Sequence, residues 1–287
     1  MSFEVSLRHA LECLSNNEIE HLNINDDALE EWIDEAGESF KDSLRRQLTR
    51  QTGAPRLRMS NIGRPTCQLQ MAMKGEKEVR KPYNFIVRML HGDAIECIMD
   101  VLLRIAKTNI TATKSKCELT VSNTNIKGED DLHIDDRVWD IKTSSPWAFM
   151  NKWSKGYSGL KSGDSFGYIG QLYGYSEAQG KEPGGWVVCD KSSGEIAVVE
   201  AEIDAEEKAR IKADITETVK TIEEDRPFKR CFEPIEDKFG GKSTGLRRLD
   251  PSTCGFCDFV GQCWPDAEFK PHPNSKAVKR PHYWFVE

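Results

Sequence analysis

The stretch that most restricts what this chain can fold into is IKGEDDLHIDDRVWDIKTSS, residues 126–145. If Asp135 and Asp136 form a two-residue turn, the flanking strands pair so that partner numbers sum to 271. Side chains alternate across a strand, so Asp130, Leu132, Ile134, Trp139 and Ile141 share one face. Glu129, Asp131, His133, Val138, Asp140 and Lys142 share the other. The first face is mostly apolar and belongs on a core, with Asp130 as a bystander there. The second sets Asp131 opposite Asp140 and Glu129 opposite Lys142. Such a hairpin needs a sheet to join and helices to cover it.

The rest of the chain supplies them. Asp26 or Asp27 caps a helix through ALEEWIDEAGESFKDSLRRQL, with Leu29, Trp32, Ile33, Ala36 and Phe40 on one face and an acidic opposite face. A loop, QTGAPRLRMSNIGRPTC, leads to a helix from about Asn84 or Asp93 through LLRIAKTN. Its main apolar stripe is Ala94, Ile95, Ile98, Val101, Leu102 and Ile105; Glu96 lies on the lesser face with Met99 and Leu103. Strands follow at 117–122, 126–134 and 137–143. Then come a helix over FGYIGQLYGYSEAQG, a hairpin over GGWVVCDKSSGEIAVVEAEI and a helix over IDAEEKARIKADITETVKTIEED. This order predicts an α/β fold, a mixed sheet with helices on it. The division expected is a helical addition at 1–58, a core at 59–225 and a cysteine-bearing segment at 226–287.

Opposed carboxylates destabilise a hairpin unless a cation separates them. A hard divalent ion with oxygen ligands, Mg²⁺ or Mn²⁺, meets that need at Asp131 and Asp140. Lys142 is then placed to orient a water or to offset charge on a phosphate. A one-residue slip would exchange Asp130 for Asp131. A solvated hairpin tip is the plain alternative.

Nine cysteines with no visible secretory signal fit a reducing compartment, so a cytoplasmic protein is expected. No apolar run is long enough to span a bilayer. Cys254, Cys257 and Cys263 have C-x₂-C-x₅-C spacing, which turns three sulfurs inward, and Cys67 in SNIGRPTCQLQ is the candidate fourth ligand. Cys13, Cys97, Cys117 and Cys189 read as small buried hydrophobes, and Cys231 is open. Four thiolates suit either zinc or an iron–sulfur cluster.

In these residues the chain resembles the RecB-like PD-(D/E)XK nucleases of the four-cysteine iron–sulfur type, over roughly 60–266. That group includes CRISPR-associated RecB-like exonucleases, AddB-type recombination nucleases and phage exonucleases. One cysteine before the core and three after it follow the family layout. Gly128 to Asp131 match its GxxD motif, Asp140 to Lys142 its (D/E)xK motif, and Gln171 to Tyr175 its QxxxY motif. The resemblance implies a restriction-endonuclease-like sheet and a 4Fe–4S cluster on Cys67, Cys254, Cys257 and Cys263. It implies metal held by Asp131, Asp140 and the Ile141 carbonyl, with Lys142, Gln171 and Tyr175 around the reacting phosphate. The family's histidine, four residues after a glycine, is replaced by Glu96 in HGDAIE; glutamate is also an oxygen ligand, so Glu96 joins the metal set. His91 precedes the glycine and fits less well.

Three further features bear on function. Gln171 and Tyr175, four apart, project from one helix face beside the small residues Gly167, Gly170, Gly174 and Ala178. That small-residue stripe permits close approach of another backbone or of DNA. Trp147, Trp153 and Tyr157 interleave with Lys152, Lys155 and Lys161, a pattern suited to single-stranded DNA. GGKSTG is no phosphate loop, because Glu236 stands where that motif needs glycine. A net charge of −7 excludes a generally basic coat but not a local basic groove. The expectation is a Mg²⁺- or Mn²⁺-dependent exonuclease on DNA ends or single strands, in a bacterial cell or phage-infected host, with recombination or replication proteins as partners. The alternatives are a DNA-binding protein that does not cut, or the same nuclease with zinc in place of the cluster.

Overall fold

The computed structural model describes residues 3–49, 54–76 and 78–286; residues 51–53 of the expected loop lie outside the described part. Helices α1 (Phe3–Ser15), α2 (Asp26–Leu48), α3 (Thr66–Met73) and α4 (Phe85–Ile105) come first. Strands β1 (Ile110–Thr113), β2 (Lys116–Val121), β3 (Thr124–Glu129), β4 (Leu132–Ile134) and β5 (Arg137–Ser144) follow. Next are α5 (Pro146–Asn151), α6 (Gly156–Lys161), α7 (Tyr168–Gln179), β6 (Pro183–Asp190), β7 (Ile196–Glu200) and α8 (Ala205–Glu223). The C-terminal part holds β8 (Ile235–Phe239), β9 (Lys242–Arg248), α9 (Val260–Cys263), β10 (Glu268–Pro271) and β11 (His282–Val286).

The fold is mixed α/β. The central sheet has the order β1-β4-β5-β6-β7, with β5 and β6 parallel and the other pairs antiparallel. Successive side chains of β5 enter opposite cores, so both faces of this strand are buried. Val138, with Trp186 and Val188 of β6, meets α7 and α8 through Leu172, Ile211, Ile215 and Val219. Trp139 and Ile141, with Leu132, Ile134 and Val187, meet α4 and α1 through Ile95, Met99, Leu103, Leu7 and Ala10. Helix α2 packs outside α4.

The hairpin register follows the expected sum: Leu132 pairs with Trp139, His133 with Val138 and Ile134 with Arg137. Asp135 and Asp136 have φ of 50° and 62°, the left-handed pair of a type I′ turn. Residues 126–134, however, are not one strand. Glu129 pairs with Lys116 in a separate β2–β3 hairpin, so it does not oppose Lys142, and the central ladder begins only at Leu132. Asp130, at the break, is no bystander on the core face. It is 2% exposed, accepts from Gln179 Nε2 at 2.7 Å and lies 3.1 Å from His133 Nε2, so buried polar partners absorb its charge.

Other expectations also need correction. Helix α2 is capped by Asn25, whose side chain accepts from Ala28 N at 3.0 Å, rather than by Asp26 or Asp27. Ile33 is 47% exposed, while Leu29, Trp32, Ala36 and Phe40 are half-buried. In α4 the fully buried positions are Ile95, Cys97, Met99, Leu103 and Ile105, and Ile98 is 54% exposed. Residues of both faces are therefore buried, because the helix is covered by the sheet on one side and by α2 on the other. Helix α1 was not read from the sequence, nor was the four-stranded C-terminal sheet, order β10-β11-β9-β8. GGKSTG forms the β8–β9 turn: Phe239 pairs with Lys242 across Gly240 and Gly241, at φ of 57° and 80°. Among the described residues no helix is long and apolar enough to cross a membrane.

Candidate metal and nucleic-acid site

Ladder breakage at residue 131 creates the site. Asp131 Oδ2 accepts from the Ile141 backbone N–H at 2.7 Å, where a continuous strand would offer a carbonyl. Its carboxylate thereby faces that of Asp140. Asp140, 3% exposed, accepts from Gln171 Nε2 at 3.3 Å and forms an ion pair with Lys142. The Lys142 ammonium lies 5.3 Å from the Tyr168 ring centroid. Glu96 on α4 meets Lys114 at 3.1 Å and, with Lys114, Asp131 and Ile141, lines a recess of about 130 Å³. Glu96, Asp131, Asp140, Ile141, Lys142, Gln171 and Tyr175 thus come to one place from α4, β5, α7 and the break between β3 and β4.

The electrostatics are those of carboxylates crowded out of water. Asp131 keeps some exposure through the recess, but its carboxylate is walled by protein. Burial, and then the Asp140 charge, push Asp131 up to about 7. Burial pushes Asp140 up as well. Glu96 is raised by burial and by Asp131. Burial alone would lower Lys142, but Asp140 and Asp131 outweigh it and hold the ammonium above its usual range. Among the described residues, no three of these acidic oxygens stand within 4.8 Å of one another; Lys114 holds Glu96, and Lys142 holds Asp140.

Helix α7 carries the remaining polar groups, and its position is set by glycine. A Cβ on Gly170 would lie 2.6 Å from Gly63 Cα, and one on Gly167 2.1 Å from Gly63 C. The small-residue stripe therefore receives the chain's own segment 59–63. The helix start is capped by Asp164, whose oxygens accept from Tyr168 N at 2.9 Å and Ile169 N at 2.8 Å. Gln171 and Tyr175 are buried (9% and 5% exposed), not on an outer helix surface. Gly128 packs against Tyr175: an added Cβ there would lie 2.7 Å from Tyr175 Cε1.

The recess shares Glu96, Lys114 and Asp131 with a groove of about 1110 Å³, which is lined by six cations, Arg46, Arg56, Arg58, Lys114, Lys116 and Lys127, by the acids Glu96, Glu129, Asp130, Asp131 and Glu223, and by Tyr175. Sequence reasoning missed this set of cations, because its residues come from α2, from the segment before α3, from the β1–β2 turn and from the β2–β3 hairpin. The aromatic–lysine stretch divides instead. Trp153 and Tyr157 are core residues at 4% and 5% exposure, packed on Trp186, while Trp147 is 64% exposed.

Cys67, Cys254, Cys257 and Cys263 line a second cavity, with Arg64, Phe166, Phe256 and Trp264. Cys231 joins them: its sulfur accepts from Cys67 N at 3.2 Å. A hydrogen bond between these two thiols holds Cys67 up and brings Cys231 down to about 6. All nine cysteines are free of disulfides. Cys13, Cys97 and Cys189 are buried and Cys117 half-buried. Several cysteines here, and a separate Cys13–Glu18–His21 cluster, offer donors that could bind a metal.

No family model matches this chain, and no curated protein matches it. Four chains of solved structures match. One, the crystal structure of SSO0001, has a TM-score of 0.45 and 16% identity, covering 79% of this chain and 94% of that chain. A likeness of that degree carries no argument about fold or function. The chain is thus a mixed α/β protein for which the comparisons establish no family.

Proposed function

We propose that this protein is a divalent-metal-dependent deoxyribonuclease with a restriction-endonuclease-like core, acting as an exonuclease on DNA ends or single strands. The observation that carries the reading is that Glu96 and Asp131 line a recess beside a groove bearing six cations, while Asp140, paired with Lys142, stands buried against Asp131. Three acids raised by burial and mutual repulsion form an all-oxygen donor set, the kind a hard dication relieves. Glu96 and Asp140 would turn from Lys114 and Lys142 toward such an ion, with the Ile141 carbonyl beside them. Mg²⁺ or Mn²⁺ there would supply Lewis acidity and a nucleophilic water near neutral pH. Lys142, kept cationic by its two aspartates, offsets charge that develops on the phosphate. Gln171 fixes the Asp140 carboxylate, and Tyr175 walls the groove beside Asp131. The groove cations hold the DNA backbone at the recess mouth.

The cysteine cavity offers four thiol ligands, a donor set that suits a 4Fe–4S cluster or a tetrahedral zinc. Cys67 from the start of α3 and three cysteines from the C-terminal segment would hold a 4Fe–4S cluster that staples the core. Iron and labile sulfide in anaerobically purified protein support this; zinc without iron refutes it.

Digestion of end-labelled single- and double-stranded DNA with Mg²⁺ or Mn²⁺ tests the activity. Cleavage should fall at least ~100-fold in Asp140→Ala and Lys142→Ala, by loss of a ligand or of charge stabilisation. Wild-type protein that binds DNA without cutting it, or variants that cut as well as wild type, would overturn the proposal.

A further inference from the structure

The end of α1 and the turn after it carry four donors that belong to neither site above. His9 and Cys13 stand four apart on α1, so they share a helix face. Glu18 and His21 stand three apart at the following 3-10 turn, Ile19–Leu22. The chain reverses tightly between the pairs: Glu18 N donates to Cys13 O at 2.8 Å, and Asn17 takes a left-handed φ of 59°. This reversal gathers the donors. Cys13 Sγ, a Glu18 oxygen and a His21 ring nitrogen all lie within 4.8 Å of one another. His21 Nδ1 is 4.0 Å from Glu18 Oε2, and both His9 ring nitrogens are 3.8 Å from Cys13 Sγ.

Two short donor pairs joined by a turn are the usual construction of a structural zinc site. The donor chemistry points the same way. One sulfur, two imidazoles and one carboxylate favour a borderline ion such as Zn²⁺ over a hard one such as Mg²⁺. Cys13 is 2% exposed, whereas His9, Glu18 and His21 are exposed, so an ion here would sit at the surface with the sulfur beneath it.

We propose that His9, Cys13, Glu18 and His21 form a zinc site that clamps α1 to the turn behind it. The site is independent of the nuclease reading but lies in the layer that backs the proposed catalytic strand. Leu7 and Ala10 of α1 pack into the core shared with Ile141, and Phe3 meets Trp139 of β5 edge-on at 4.9 Å.

The test is zinc stoichiometry in the full chain. Wild type, Cys13→Ser, His21→Ala and Glu18→Ala are freed of loosely held metal, dialysed against micromolar free zinc, and analysed for zinc, iron and labile sulfide. Wild type should hold one zinc per chain more than Cys13→Ser and His21→Ala, with iron and sulfide equal in all. Zinc at the distant cysteine cavity would be common to all four proteins and cancels in the difference. Cobalt(II) in wild type should give a sulfur-to-cobalt charge-transfer band that weakens in Cys13→Ser, and added zinc should raise the melting midpoint of wild type more than that of Cys13→Ser or His21→Ala. His21 and Glu18 are exposed, so their variants report on the site without threatening the fold. Equal zinc content in wild type and His21→Ala, or a cobalt spectrum unchanged by Cys13→Ser, would overturn the proposal.

Discussion

Asp131→Asn separates the electrostatic account of the site from a purely structural one. The carboxylate accepts the Ile141 N–H at 2.7 Å, and an asparagine oxygen can accept the same bond, so the substitution removes little besides charge. In the metal-free fold Asp131 titrates at about 7, against 3.8 for an ordinary aspartate, because burial and Asp140 oppose its ionisation. Between those values the native state holds a proton that the unfolded state has lost. Stability therefore falls as pH rises, by about 1.4 kcal/mol per unit and on the order of 4 kcal/mol in all, and then stays level above about pH 7. The asparagine variant lacks this loss. With chelator present, its urea midpoint should match or exceed wild type, and its advantage should grow by about 3 kcal/mol between roughly pH 5 and pH 8. Excess Mn²⁺ should close this gap at the higher pH by stabilising wild type more than the variant; a ligand at ~1,000 times its Kd contributes about 4.1 kcal/mol, enough to offset the loss. Cleavage should be lost throughout. A variant less stable than wild type by the same margin at both pH values would refute the reasoning, since Asp131 would then be acting as a packed polar group and not as a crowded charge.

Gly170→Ala should destabilise by about 1–3 kcal/mol in urea denaturation, because its Cβ would meet Gly63 Cα at 2.6 Å and backbone cannot yield as a side chain can. Cys67→Ser or Cys257→Ser should lose iron and labile sulfide on metal analysis, whereas Cys97→Ser, buried in α4, should retain both. Trp147→Ala should weaken single-stranded DNA binding by about 1–3 kcal/mol in fluorescence titration while leaving the melting midpoint unchanged, since the ring is 64% exposed. Equal affinity for both proteins would remove Trp147 from the DNA path.

Much of the site was legible in the chain because its determinants are local. The two-residue turn at Asp135–Asp136 sets the hairpin register, and strand alternation then places Asp140 and Lys142, whereas Asp131 reaches them only through the break in the ladder. Helical spacing likewise puts Gln171 and Tyr175 on one face of α7, and C-x₂-C-x₅-C turns three sulfurs into one cavity. What remained hidden depended on partners distant in sequence. Alternation through residues 126–134 cannot show that Glu129 pairs with Lys116 while Leu132 pairs with Trp139, so it also misplaces Asp130. Periodicity finds the apolar stripe of a helix covered on one side, but α4 lies between α2 and the sheet. It therefore concealed that Met99 and Leu103, beside Glu96, are buried as fully as Ile95 and Ile105. The groove cations and the approach of Cys231 to Cys67 have no sequence signature at all. The sequence by itself determined the turn, the register and the donor types, because neighbours along a strand or helix settle them. Tertiary structure alone decided which acid became a buried partner of histidine and which faced the recess, because that choice rests on burial and on charges brought from other elements.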